Sequence, residues 1–196
     1  MRKISVLGLA IISLIVLNGC AQVTEYIPNI NKGPNYVNTH NLVVSYVNRG
    51  VDCYNIGLYD QAIAEFNKAL GIEASCAAAY YDRALAYDKK GLFDQAIMDL
   101  NNALTIDQTY VEAYYTRGSI YLANKKEYDH AIIDFTKVIE IKPTYADAFN
   151  NRGIAYEKRG QYDQAISDYN KAIEINPTYV QAYSNRGIIY IKKGLR

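Results

Sequence analysis

Five arginines recur along the sequence at intervals of 34 or 35 residues: Arg49, Arg83, Arg117, Arg152 and Arg186. An acidic residue follows each of the first four by 16 or 17 positions: Glu65, Asp99, Asp134 and Asp168. A row of guanidinium groups could bind an anionic ligand. The equally regular acidic row instead favours ion pairs between helices, within one repeat or with the next. We therefore predict that all nine side chains are structural.

The residue types that usually carry catalysis or bind metals are few and scattered. The chain has three cysteines, Cys20, Cys53 and Cys76, and two histidines, His40 and His130. The sequence contains no C-x-x-C, H-E-x-x-H or phosphate-binding loop motif. We therefore predict no catalytic residues, no metal site and no cofactor, and we do not expect an enzyme.

The charge balance argues against a nucleic-acid partner. The 196 residues carry a formal net charge of +1. Removal of residues 1–19 would take away Arg2 and Lys3 and leave a net charge of −1. No basic surplus is then available to neutralise phosphates.

The first residues have the anatomy of an export signal. Met1, Arg2 and Lys3 precede an apolar stretch from Ile4 to Leu17, which is too short to span a bilayer comfortably. The following Leu17-Asn18-Gly19-Cys20 resembles the lipobox of bacterial lipoproteins, which implies cleavage after residue 19 and acylation of Cys20. In lipoproteins of the kind that this segment resembles, a residue other than aspartate after the cysteine favours the periplasmic face of the outer membrane. Here that residue is Ala21. Two alternatives stay open: an ordinary cleaved signal that releases a soluble periplasmic protein, and an uncleaved N-terminal anchor.

Residues 20–42 predict a lipidated flexible tether. This stretch is rich in asparagine, contains Pro28, Gly33 and Pro34, and lacks helical periodicity. Beyond it the chain repeats itself with a period of 34 residues, over 43–76, 77–110, 111–145 and 146–179, with a partial fifth repeat over 180–196. Residue positions are counted below from the first residue of each repeat, leaving out the one extra residue that repeat 3 contains before Ala131.

The repeated unit resembles the tetratricopeptide repeat, as in "YYDRALAYDKKGLFDQAIMDLNNAL" from Tyr80 and "FNNRGIAYEKRGQYDQAISDYNKAI" from Phe149. The resemblance implies an all-α fold, a right-handed α-solenoid of four full helix-turn-helix repeats plus one terminal helix. Alanines at matched positions predict close packing of the two helices. Thr109, Thr144 and Thr178 predict N-caps for the first helices of repeats 3 to 5. Repeat 3 has one extra residue, and we expect Asn124 to adopt the left-handed conformation in its longer turn.

The same resemblance implies that ligands lie along the first helices of the repeats. The matching candidates for peptide or protein binding are Val47, Asn48, Tyr81, Asp82, Tyr115, Thr116, Asn150, Asn151, Glu157 and Asn185. These side chains lack the lysines and arginine of the carboxylate-clamp subclass, so a chaperone tail is not the expected ligand. Tyrosines, amides and acids suit an extended or helical peptide. A merely solvated face is the alternative.

Together these features predict a membrane-anchored adaptor that mediates protein–protein interactions in the bacterial cell envelope. The expected partners are other envelope proteins or peptides, and the membrane itself through the N-terminal lipid. The apolar terminal helix, with Ile188, Ile189 and Ile191, also predicts self-association through the C-terminal edge. Two further alternatives are a self-assembling structural protein, and an accessory subunit of an envelope enzyme or of a secretion or pilus assembly machine.

Overall fold

The computed structural model describes residues 34–194, with side chains from residue 39 onward. The chain divides into two units, Met1–Gln108 and Thr109–Arg196, here called the N-terminal half and the C-terminal half. The described part of the N-terminal half contains α1 (Pro34–Asn55), α2 (Tyr59–Ile72), α3 (Ala77–Lys89) and α4 (Phe93–Ile106). That of the C-terminal half contains α5 (Val111–Ile120), α6 (Tyr128–Ile141), α7 (Ala146–Lys158), α8 (Tyr162–Ile175) and α9 (Val180–Lys192).

Consecutive helices pack against each other within each half. In the N-terminal half α1 packs on α2, α2 on α3, and α3 on α4; in the C-terminal half the same order runs from α5 to α9. Residues 34–194 contain helices and turns but no strand. The all-α architecture of helix-turn-helix repeats predicted from the sequence is therefore confirmed. None of the described helices combines the length and hydropathy needed to cross a membrane.

Small side chains let the paired helices approach closely. The alanines at position 20 are all fully buried: Ala62, Ala96, Ala131 and Ala165. Gly153 on α7 faces Tyr169 on α8, and a Cβ atom added to it would lie 2.7 Å from the tyrosine ring. Phe66, Phe135 and Tyr169 are fully buried in the space that these small residues leave. Matched small and aromatic positions thus build the core of each repeat.

Helix α1 begins nine residues before the first repeat. It starts at Pro34, so residues 34–42, predicted as part of the tether, are helical. Proline suits the first position of a helix because its φ angle is already helical and its missing N–H has no partner there. Val43 on this helix is fully buried, and His40 Nδ1 lies 3.8 Å from Glu73 Oε2 of α2. Through His40, this segment lies against the second helix of the first repeat. The signal and lipidation predictions, up to Cys20, lie outside the described residues.

The turns between the two helices of a repeat depend on left-handed backbone. Gly57, Gly91 and Gly160 have φ angles of 81°, 73° and 73°, where glycine has no steric penalty. In repeat 3 the extra residue is absorbed by a π-helix, Tyr121–Lys125, and Lys126 takes the left-handed conformation with φ of 56°. The expectation for Asn124 was therefore wrong. The inserted residue is accommodated by the wider π-helical turn that contains Asn124, and the left-handed residue comes after that turn, at Lys126.

The predicted threonine caps are also wrong. The first helices of repeats 3 to 5 have Tyr110, Tyr145 and Tyr179 at the N-cap, and none of these makes a side-chain capping bond. Each helix starts one residue later than the threonine pattern suggests. At two of these positions the tyrosine ring packs on its neighbours, Tyr145 on Tyr115 and Tyr179 on the cluster of Phe149, Ala172 and Ala182.

Candidate functional site

The recurring arginines are bound to the recurring acids. Arg83, Arg117 and Arg152 each donate two hydrogen bonds, from Nε and Nη2, to the carboxylate of Asp99, Asp134 and Asp168 respectively, at 2.6–2.9 Å. The three aspartates are buried, whereas the first pair, Arg49 and Glu65, joined at 2.7 Å, is more exposed. Burial raises the pKa of Asp134 and Asp168 while the facing arginine opposes the rise. Guanidinium groups held in this way are poor candidates for binding an anionic ligand.

A third donor of the arginine joins one repeat to the preceding one. Arg83 Nη1 donates to Asn67 Oδ1 at 2.5 Å, and Arg152 Nη1 donates to Thr136 Oγ1 at 3.0 Å. The prediction of an ion pair for Arg186 was wrong. Within residues 34–194 the structure shows no ion pair of Arg186, whose Nη1 donates to Asn170 Oδ1 at 2.6 Å. The sequence analysis missed these acceptors, although a signal exists: Asn67, Asn101, Thr136 and Asn170 each stand two positions after the recurring acid.

Each half has its own first-helix face, defined here as the surface formed by positions 5, 6, 9 and 12 of its first helices. These are α1 and α3 in the N-terminal half, and α5, α7 and α9 in the C-terminal half. In the N-terminal half Asn48 is exposed, and Tyr81 and Asp82 are half-buried. Val47 is only 3% exposed and belongs to the core formed with Phe66 and Ala69. Its prediction as a ligand contact was wrong, because position 5 of this helix packs inward.

Asp82 on α3 has an unusual carboxylate. Its Oδ2 atom is shielded from solvent and accepts no hydrogen bond. Burial raises the pKa of Asp82 to about 7. Tyr54 of α1 lies nearby, and its pKa is raised by burial and by electrostatic interaction with Tyr59, Asp88 and Asp82. Since α1 contacts α3 directly, Tyr54, Asp82 and Asp88 form one acidic and aromatic patch of the first-helix face.

In the C-terminal half the face is a connected network of amides and tyrosine. Asn151 Nδ2 donates to the Tyr115 hydroxyl at 2.9 Å, Asn150 Nδ2 donates to Asn151 Oδ1 at 3.3 Å, and Asn185 Nδ2 donates to Asn150 Oδ1 at 3.0 Å. The Tyr115 ring stacks on Tyr145, with centroids 5.1 Å apart. Burial raises the pKa of Tyr115 to about 12, so its hydroxyl stays neutral.

Two predicted contacts of this half are occupied by the fold itself. Asn150 is 4% exposed, and its Oδ1 accepts the hydrogen bond from Asn185 that links α7 to α9. The Glu157 carboxylate accepts a hydrogen bond from the Tyr169 hydroxyl at 3.1 Å and pairs with Lys192 at 2.6 Å. Asn150 is buried, so its prediction as a ligand contact was wrong, whereas Glu157 is only half-buried and its role as a ligand contact stays a prediction. Thr116, Asn151 and Asn185 are half-buried on the same face.

The groups on the first-helix faces are of the kinds that recognise a peptide. Within residues 34–194, no three His, Cys, Asp or Glu side chains are grouped so that they could hold a metal ion. Cys53 carries a free thiol. The first-helix faces present amide and hydroxyl groups that can form hydrogen bonds, aromatic rings, and the carboxylates of Asp82 and Asp88. These groups can bind a peptide backbone and its side chains.

Sequence profiles identify the repeats. Profiles described as tetratricopeptide repeat match residues 43–76, 111–145, 146–179 and 168–195, and one described as TPR repeat matches residues 89–125. The chain belongs to the tetratricopeptide repeat family. Three of the matches have the same bounds as the repeats predicted from the sequence. A search of curated protein sequences found no match.

Solved structures agree with this assignment. A structure titled "Crystal structure of MamA" shares 33% identity with the chain at a TM-score of 0.72 and covers 75% of this chain and 85% of that one. A second, "Crystal structure of MamA protein", shares 31% identity at a TM-score of 0.75 and covers 80% and 85%. A MamA fragment from Desulfovibrio magneticus RS-1 is 21% identical at a TM-score of 0.73, and this likeness shows the fold alone. As a tetratricopeptide repeat protein, the chain is a scaffold for protein–protein interactions.

Proposed function

We propose that this tetratricopeptide repeat protein is a lipid-anchored adaptor of the bacterial cell envelope, held by Cys20 and binding other envelope proteins through its first-helix faces. The observation that carries the proposal is the polar and aromatic character of these faces, beside arginines that are paired with acids of the fold in the first four repeats. The lipobox-like Leu17-Asn18-Gly19-Cys20 supports the anchor, since stable attachment needs acyl chains of the kind that lipoproteins carry. The favoured location is the periplasmic face of the outer membrane, with a secreted periplasmic form as the alternative.

Photo-crosslinking in intact cells tests this function. A photoreactive residue in place of Asn48, which is exposed on α1, is expected to capture envelope proteins that stay with the membrane fraction. The same residue in place of Met98, which is 56% exposed on α4, should capture none of them, because α4 is a second helix and contributes nothing to the first-helix face. Captured proteins are identified by mass spectrometry.

The anchor is tested in the same cells. Cys20→Ser removes the acylation site, and most of the protein should move from the membrane to the soluble periplasmic fraction and lose the captured partners. Cys53→Ser, which changes the free thiol of α1, is the matched control and should stay in the membrane fraction. Retention of Cys20→Ser at the membrane would contradict the lipid anchor, and equal capture from positions 48 and 98 would contradict the binding face.

A second candidate function is self-association through α9. Tyr183, Gly187 and Ile191 of α9 stand where Phe149, Gly153 and Glu157 of α7 pack against α8. On α9 the tyrosine is 44% and Ile191 79% exposed, and a Cβ atom added to Gly187 would meet nothing within 4 Å. We propose that this face binds the same face of a second copy, since apolar surface of this kind favours association.

Light scattering coupled to size-exclusion chromatography measures this association. Wild-type protein should gain apparent mass toward a dimer as its concentration rises, whereas Ile191→Glu should stay monomeric, because a carboxylate would be desolvated at the contact. Ile133→Glu, at a position on α6 that is 57% exposed, is the control and should behave as wild type. A monomeric wild type at high concentration would contradict the proposal.

A further inference from the structure

The carboxylate of Asp82 is an acceptor without a donor. Within residues 34–194 the structure shows no hydrogen bond or ion pair to this side chain, and its Oδ2 atom is shielded from water. The fully buried Asp99, on the neighbouring helix of the same repeat, shows the usual solution, because Arg83 donates two hydrogen bonds to it. Burial of an unpaired acceptor is unfavourable, so the missing partner of Asp82 calls for an explanation.

The surroundings of Asp82 define the chemistry of that partner. Burial raises the pKa of Asp88 on the same helix, and Lys89 only partly offsets it. Tyr54 contributes an aromatic ring that lies 5.5 Å, centroid to centroid, from the ring of Tyr59. Two carboxyl groups beside an aromatic ring attract a cation, through hydrogen bonds to the acids and through cation–π contact with the ring. A bound cation also favours the ionised form of both acids, whereas a neutral donor would satisfy only one lone pair.

The patch also fits the shape of a basic side chain. A lysine or arginine has an aliphatic stem that packs along a ring while its charged end reaches an acid. Asp82 as a whole is only half-buried, so rotation about its terminal torsion brings either oxygen toward an entering group. A peptide that lies along α1 and α3 would pass over this patch.

We propose that Asp82, together with Tyr54 and Asp88, forms a subsite that binds a lysine or arginine side chain of the partner peptide. The inference rests on the proposed peptide-binding function of the first-helix face and adds its specificity. It assigns Asp82 the role of supplying charge and hydrogen-bond acceptors to the ligand, and Tyr54 the role of packing on its aliphatic stem.

A positional peptide library measures this specificity. The purified full-length chain is presented with randomised octapeptides in which one position at a time is fixed as lysine, arginine, norleucine or glutamate, and the bound peptides are quantified. Wild-type protein is expected to prefer lysine or arginine over norleucine by about tenfold at one position, the effect of one hydrogen bond to a charged group. Norleucine keeps the stem of lysine and removes only the charged end.

Three variants assign the preference to its residues. Asp82→Asn should abolish the preference for basic residues while total peptide capture persists, and Tyr54→Leu should weaken it about threefold. Asp52→Asn, which changes an exposed acid of α1, is the control and should keep it. Circular dichroism checks that each variant is folded. Capture without basic preference, or a preference that survives in Asp82→Asn, overturns the subsite and leaves the proposed function standing. Absence of any captured peptide overturns both.

Discussion

Replacement of Asp99 by alanine is expected to lower the free energy of unfolding by about 3 to 5 kcal/mol, the cost of breaking a buried ion pair by removing one partner. The Asp99 side chain is completely buried and receives Nε and Nη2 of Arg83 at 2.7 and 2.6 Å. The variant leaves the Arg83 guanidinium, whose side chain is 16% exposed, with the amide oxygen of Asn67 but without a counter-charge. Urea denaturation followed by circular dichroism measures the change.

Two further variants separate the buried charge from general loss of contacts. Asp60→Ala removes the acid of the Lys90–Asp60 pair, whose carboxylate side chain is 82% exposed, and should cost no more than about 1 kcal/mol. The double change Arg83→Met with Asp99→Leu removes both charges, and should cost clearly less than Asp99→Ala alone because no unpaired charge remains. If Asp99→Ala and Asp60→Ala cost the same, the buried pair has no special role in stability.

The ion pairs show why much of this fold could be predicted from sequence. Arginine at position 7 and an acid at position 23 recur together, and their spacing places them on facing helices of one hairpin. Periodicity alone therefore predicts which residues are neighbours. The alanines at position 20 follow the same logic, and all four are fully buried. Repetition supplies several observations of one structural rule in a single sequence.

Features that occur once could not be predicted in this way. The helical residues of α1 that precede the first repeat, from Pro34 onward, have no counterpart in the other repeats, whose first helices begin at the first residue of the repeat. The π-helix at Tyr121–Lys125 depends on a single inserted residue. In both cases tertiary packing and backbone geometry decide, and the local residue types are compatible with several outcomes.

The first-helix face was predicted only in part, for a physical reason. Position 5 of the first helices lies close enough to a neighbouring helix to be buried, as Val47 and Asn150 show with 3% and 4% exposure. Position 6 stays nearer the surface, as Asn48 shows. The sequence places an acid at position 82, but only the structure shows that its Oδ2 atom lacks a hydrogen-bond donor.

Replacement of Asp82 by asparagine is expected to stabilise the protein, and to do so more strongly at pH 8 than at pH 5. The folded-state pKa of Asp82, about 7, lies above the value of about 3.9 for an unfolded chain. Between these values the folded chain holds a proton that the unfolded chain has released. The wild type is therefore most stable with respect to this group below pH 4, and it loses that stability as the pH rises toward 7.

Asparagine keeps the shape of the side chain and removes this titration, so the gap between variant and wild type should grow with pH. We expect the gap in the free energy of unfolding to increase by on the order of 2 kcal/mol between pH 5 and pH 8, measured by urea denaturation at both values. Asp52→Asn, at an exposed position, should give a gap within about 0.5 kcal/mol at either pH. Equal gaps for Asp82→Asn at the two pH values would show that the carboxyl is not held in an unfavourable environment. A growing gap would mean that the free chain retains a charge that weakens its own fold, which is the behaviour expected of a side chain whose partner is a ligand.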